Sequence, residues 1–184
     1  MLKYAPASAI LTALLLTGCS QKPSDAPATG RLASNDFENV DGWLADSPAL
    51  ETLNRDKAHS GVYSTMVSPG HDYSLGYSNL LGRLSPEWPA KLTIGAWVML
   101  PNSEANPRLV IEVKRPNNNG PNLVWEAVEL AREVKAYNQW QYVERTITMP
   151  DAAKPNSRLL VYMWSTNNKA PVYLDDLHIS LARR

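Results

Sequence analysis

The chain has 184 residues and a formal net charge of zero, 18 Lys and Arg against 18 Asp and Glu. That balance excludes the basic footprint with which proteins hold nucleic acid, and it leaves no acidic tail. One Phe stands against six Trp and eight Tyr, a bias toward rings with a polar edge that suits half-wet surfaces and sandwich cores alike.

The first segment, MLKYAPASAILTALLLTGCS, reads as a signal sequence: Lys3 supplies the positive start, residues 9–16 the apolar run, and small residues lead to a cleavage point. The run falls short of the roughly 20 apolar residues a transmembrane helix needs. Leu16-Thr17-Gly18-Cys19 resembles the lipobox of bacterial lipoprotein precursors, which are diacylated on the cysteine sulfur and cleaved just before it. The resemblance implies that residues 1–18 are removed and that Cys19 becomes the lipid-bearing first residue, with the membrane as partner. Cys19 is the single cysteine, so it has no disulfide partner within the chain. Aspartate after the cysteine resembles an inner-membrane retention signal; Ser20 does not, which points to an outer-membrane or cell-surface destination. With Cys19, residues 20–32, rich in Pro, Ser, Ala and Gly, form a flexible tether whose root-mean-square reach is about 20 Å.

Without the signal peptide 166 residues remain, enough for one domain with a sizeable core, placed at residues 33–184. It reads as short strands between turn signals. The strands are placed at 35–40, 49–56 and 62–67, with His59-Ser60-Gly61 as the turn before the third, then an extended stretch over 74–84. Residues 90–100 alternate, with Leu92, Ile94, Ala96 and Val98 on one face and Thr93, Gly95, Trp97 and Met99 on the other. Strands at 108–115, 123–130, 140–149, 158–165 and 171–181 complete the set, with a turn at 116–121. A helix over 123–135, where Glu, Ala, Leu and Arg are good helix formers, is the competing reading, and strand is preferred. This spacing predicts an all-β fold, an antiparallel β-sandwich.

Four pieces in order resemble a known family. They are Asn35-Asp36-Phe37-Glu38-Asn39 with Gly42-Trp43; Ala58 through Ser64 around Ser60-Gly61; Trp140-Gln141-Tyr142-Val143 ending at Met149-Pro150; and Val172-Tyr173-Leu174-Asp175-Asp176-Leu177. They are similar to motifs of the jelly-roll carbohydrate-binding modules found beside cellulases and xylanases, the galactose-binding-like sandwiches. The resemblance implies a jelly roll, a glycan ligand and often a structural calcium ion. Carried over, the calcium ligands are Glu38, the backbone carbonyls near Lys57 and Ser60, and Asp175; alternation leaves open whether Asp175 or Asp176 points at the site. Ca²⁺ takes six to eight hard oxygens, so the donor types suit it.

Period-2 alternation offers ligand-binding candidates. With Leu159, Val161 and Met163 inward, Tyr162 and Trp164 face out; with Leu109, Ile111 and Val113 inward, Glu112 and Lys114 face out. Trp97 opposes the Ile94 and Val98 face, and Tyr142 and Glu144 oppose Val143 and Ile147. Together Trp97, Glu112, Tyr142, Glu144, Tyr162 and Trp164, with Trp125 near the edge, are expected to form one sheet face of rings and charges suited to a polyol.

No catalytic constellation appears: His59, His71 and His178 lack paired-His metal spacing, and no G-x-S-x-G elbow or Gly-rich phosphate loop occurs. The expectation is a non-catalytic, membrane-anchored glycan-binding lipoprotein. A structural or assembly lipoprotein that binds a protein partner or cell wall is the alternative.

Overall fold

The computed structural model describes residues 30–43, 49–166 and 168–182; the signal sequence, Cys19 and the tether as far as residue 29 lie outside them, and the expected flexible tether ends early, because Arg31 and Leu32 already belong to the first strand. Among the described residues ten strands form two antiparallel sheets. They are β1 (Arg31–Asn35), β2 (Leu53–Asn54), β3 (Ser64–Val67), β4 (Tyr77–Leu80), β5 (Lys91–Met99), β6 (Arg108–Lys114), β7 (Val124–Glu129), β8 (Gln141–Thr148), β9 (Arg158–Trp164) and β10 (Val172–Leu181). The larger sheet runs β2-β3-β10-β5-β8, with β1 also paired to β10; the smaller runs β4-β9-β6-β7.

Alternation makes the sandwich. Leu92, Ile94, Ala96 and Val98 of β5 are buried, as are Leu109, Ile111 and Val113 of β6 and Leu159, Val161 and Met163 of β9. Leu174, Leu177 and Ile179 of β10 join them in one core between the sheets. At one open edge, Arg145 of β8 and Glu126 of β7 approach to 3.1 Å, an ion pair bridging the edge strands of the two sheets.

Some predicted boundaries fail for local reasons. The expected strand at 35–40 is a bend: the Asn35 side chain takes the Phe37 N–H at 2.6 Å and the Asp36 side chain takes the Glu38 N–H at 3.2 Å. Short polar side chains compete with the ladder in this way. Phe37 consequently has φ of 61° and drops into the core. The expected strand at 49–56 begins as a 3₁₀ turn, Ala49–Thr52, and β2 ends after Asn54, whose carbonyl side-chain oxygen accepts the Asp56 N–H at 3.0 Å. Residues 74–84 divide into β4 and one helical turn, α1 (Leu81–Leu84). Both readings of 123–135 are partly right: β7 is a strand, and a single helical turn, α2 (Leu130–Glu133), follows with Leu130 fully buried.

The irregularity that most affects function lies in β10. Its pairing with β5 shifts between Asp175 and His178, and Asp176 has φ of 48°. The extra residue lets Leu174 and Leu177, three apart, both point inward.

Candidate functional site

The expected single face is two faces, on opposite sides of the sandwich. Trp97, Tyr142 and Glu144 stand on the outer side of the larger sheet, where β5–β8 register sets Trp97 against Tyr142 and Gly95 against Glu144. Glu112, Trp125, Tyr162 and Trp164 stand on the outer side of the smaller sheet, where Glu112 opposes Trp125. Alternation assigns each residue to the outside of its own sheet correctly. It carries no information on which sheet that is, so the seven residues do not share one surface.

On the smaller sheet four rings gather. Trp125 and Tyr73 remain more than half exposed, 54% and 57%. Tyr73 bridges Trp164 through the backbone, and its ring lies 5.9 Å from that of Tyr162. The Arg108 guanidinium sits 5.4 Å over Trp164, a cation–π contact that occupies one face of that indole. Between the exposed rings lies Glu112, only 7% exposed although it points away from the core. The Tyr162 hydroxyl donates to Glu112 Oε1 at 2.6 Å, Asn122 donates to Oε2 at 3.3 Å, and Lys114 Nζ lies 3.5 Å from Oε2. Burial, and then this bond to an anion, hold the Tyr162 hydroxyl far above the usual phenol range, so it stays a donor.

The backbone under Tyr73 is fixed by buried hydroxyls. Ser74 and Met163 pair through the backbone, and Met163 N–H also donates to Ser74 Oγ at 2.9 Å. Leu75 N–H is within 3.0 Å of the hydroxyls of both Thr52 and Thr65. A Cβ on Gly76 would overlap the carbonyl oxygen of Val161, so only glycine lets this segment lie against β9. Sequence patterning does not single out Tyr73, because it stands one residue before the stretch that reads as extended.

Diagonally across the strands, Trp125 (β7), Glu112 (β6), Tyr162 (β9) and Tyr73 make a track of rings and hydrogen-bonding groups. Three interstrand spacings give it a width of about 14 Å. Exposed ring faces bind apolar ring surfaces, and a fixed carboxylate and phenol bind hydroxyls, so the track suits an oligomeric polyol.

The outer side of the larger sheet is built differently, with its rings spent on one another. His59 stacks on Trp97 at 3.9 Å between centroids, and Trp140 meets His59 edge-on at 5.8 Å. Trp140 is half-buried under this loop. His59 Nδ1 lies 2.5 Å from Asp176 Oδ2, and Ser60 Oγ donates to Asp176 Oδ1 at 2.7 Å. Tyr142 and His178 stack, with Tyr142 Oη 3.2 Å from His178 Nε2 and donating to Glu144 Oε2 at 3.1 Å. These contacts clamp the turn around residue 60 onto β10 and β5.

The four expected calcium positions lie around that turn. Asp175, fully buried, accepts the N–H groups of His59 at 2.7 Å and Ser60 at 3.1 Å through Oδ2, and that of Asp176 at 2.7 Å through Oδ1. Desolvation by burial pushes its carboxyl up to about 6, against the lowering effect of those bonds. Glu38 Oε1 accepts the N–H groups of Val62 and Tyr63, each at 2.6 Å, and the Lys57 carbonyl accepts Ser64 Oγ at 2.5 Å. The bulge turns Asp176 toward the His59 and Ser60 side chains while Asp175 holds their backbone, so both aspartates reach the turn. Two carboxylates and two carbonyls are the hard-oxygen set that suits calcium, and a bound ion would share them with these N–H groups. Among the described residues no group of three or more His, Cys, Asp or Glu side chains is arranged to hold a metal.

A two-sheet antiparallel sandwich with an aromatic track across one outer face defines a class of β-sandwich ligand-binding domains. The family model described as "Carbohydrate binding domain" matches residues 31–170, and the chain belongs to that family. Solved structures with the same fold include the CBM22-1 xylan-binding domain from Paenibacillus barcinonensis Xyn10C, at 23% identity and TM-score 0.52, covering 84% of this chain and 97% of that one. Another is the C-terminal family 22 carbohydrate binding module of Clostridium thermocellum Xyn10B, at 17% identity and TM-score 0.54, covering 84% and 95%. A family 16 carbohydrate binding module matches at 15% identity and TM-score 0.52, covering 79% and 94%. No curated protein matches the chain.

Proposed function

We propose that this chain is a non-catalytic module that binds a polysaccharide or oligosaccharide across the outer face of the smaller sheet. The observation that carries the reading is the track Trp125–Glu112–Tyr162–Tyr73: two exposed rings flank a buried carboxylate and the phenol bonded to it. Family membership and the sugar-binding names of the structural neighbours support it. A non-catalytic role is supported by how the carboxylates of this face are used. Glu112 is tied to Tyr162, Asn122 and Lys114, and Glu129 lies 2.7 Å from Arg132 and 3.9 Å from Arg108. Neither is left free as a general acid or base.

Two further parts belong to the reading. The lipobox-like Leu16-Thr17-Gly18-Cys19 supports a lipid anchor on Cys19 that holds the module at the outer membrane or cell surface. The oxygen set of Glu38, Lys57, Ser60 and Asp175 supports a structural calcium ion, which would tie the turn around residue 60 to β10 and supply positive charge beside the buried Asp175.

The test is a panel of plant, algal and bacterial glycans presented to the full chain, followed by calorimetry on the hits. Saturable binding to an oligosaccharide supports the reading, and binding to none overturns it. Fatty-acid labelling tests the anchor: label on the wild-type chain and none on Cys19→Ala is expected, and an unlabelled wild type refutes it.

A further inference from the structure

The cationic groups on the same sheet face are unevenly satisfied. Arg108 is near Glu129 and over Trp164, and Lys114 is near Glu112. Arg158 has only a hydroxyl: its Nη1 donates to Ser78 Oγ at 3.1 Å, and among the described residues no carboxylate lies within 4.0 Å of its guanidinium.

Register makes this arrangement costly. Arg158 of β9 pairs directly with Lys114 of β6, and both side chains stand on the outer face. Like charges directly opposite on neighbouring strands repel. Both groups are half-buried, which weakens solvent screening of that repulsion. Lys114 shares Glu112 with Tyr162 and Asn122, so this carboxylate is already heavily used. The pair lies two register positions, the next place on the same face, from the Glu112–Trp125 row, beside the Glu112 end of the ligand track.

We propose that the glycan taken by this face carries uronic acids, and that one sugar carboxylate seats against Arg158 and Lys114. This deepens the proposed glycan binding and rests on it. A planar carboxylate suits the guanidinium fork, and a second cation beside it strengthens the contact. The anion also relieves the repulsion between the two side chains. Specificity for acidic over neutral chains follows, because a neutral sugar leaves the two cations facing each other.

The experiment compares an oligogalacturonate with neutral xylo- and cello-oligosaccharides of equal length, by calorimetry on the full chain. Expected is at least about tenfold tighter binding of the acidic chain, a difference that shrinks as salt rises from about 0.05 M to about 0.5 M. Arg158→Gln is expected to remove most of the acidic preference and leave neutral binding in place, because Arg158 contacts Ser78 and no group of the track, whereas Arg158→Lys retains part of the preference. Equal binding of acidic and neutral chains overturns this inference and leaves the glycan-binding reading standing, as does an acidic preference indifferent to salt and to Arg158→Gln. Binding of no glycan overturns both. The wild-type comparison and its salt dependence decide the matter even where a variant folds poorly.

Discussion

The Tyr162 hydroxyl reaches diagonally from β9 to the Glu112 carboxylate on β6 and donates to it at 2.6 Å. The bond does two things. It satisfies a carboxylate that is nearly buried on an outward-facing position, and it fixes both groups at the centre of the aromatic track.

Tyr162→Phe removes that donor and keeps the ring. A hydrogen bond to a charged group contributes about 1.5–3 kcal/mol, so denaturant unfolding should report a loss of about that size. Glycan affinity should fall by about tenfold or more, because Glu112 loses its fixed position. Unchanged stability and affinity would show that the bond positions nothing.

Gly76→Ala sets a methyl group against the Val161 carbonyl oxygen and about 2.9 Å from the Tyr162 Cα. Backbone lines both sides of the clash, so relief requires the strands to part. Overpacking of this kind costs about 1–3 kcal/mol, occasionally more, and should appear as a lower thermal midpoint. Loss of glycan binding should accompany it, since β9 carries Tyr162. Wild-type stability in this variant would contradict the close approach of the segment to β9.

Calcium bound around Glu38 and Asp175 would stabilise the folded state by mass action, about 2.7 kcal/mol at a hundredfold excess over its dissociation constant. Adding a chelator should then lower the thermal midpoint by about 5–10 °C, and restoring calcium should reverse the change. A midpoint indifferent to chelator would mean that backbone N–H groups alone satisfy these carboxylates.

Much of this architecture is legible in the amino-acid sequence. β8 and β9 alternate without a break, and the inward residues of β5 and β6 also fall where period 2 sets them, although Gly95 of β5 and Val110 and Glu112 of β6 are covered on the outward side as well. The elements that deviate do so through local side-chain chemistry. Asn35, Asp36 and Asn54 take backbone N–H groups and end strands early. In β10 the spacing of Leu174 and Leu177 is itself a sign of a bulge, because two inward leucines three apart cannot sit in regular alternation.

The site is half legible. Sheet membership depends on long-range pairing, β5 with β8 and β10 on one side and β6 with β7 and β9 on the other, which no local pattern encodes. Trp97 and Trp125 therefore look equivalent in sequence. In the fold Trp97 is stacked under His59, whereas Trp125 offers an open ring. Arg158 is inconspicuous in the sequence for the same reason, since its repulsive partner Lys114 lies 44 positions away and is identified only by register.

That difference between two tryptophans gives the most direct test of the central claim, that glycan binds on the smaller sheet. Calorimetry of the full chain with its tightest-binding oligosaccharide should show affinity lost in Trp125→Ala and kept in Trp97→Ala, the latter losing thermal stability instead as the His59 stack is removed. Affinity lost in Trp97→Ala and kept in Trp125→Ala, with both variants folded, would contradict the claim and move the site to the opposite face of the sandwich.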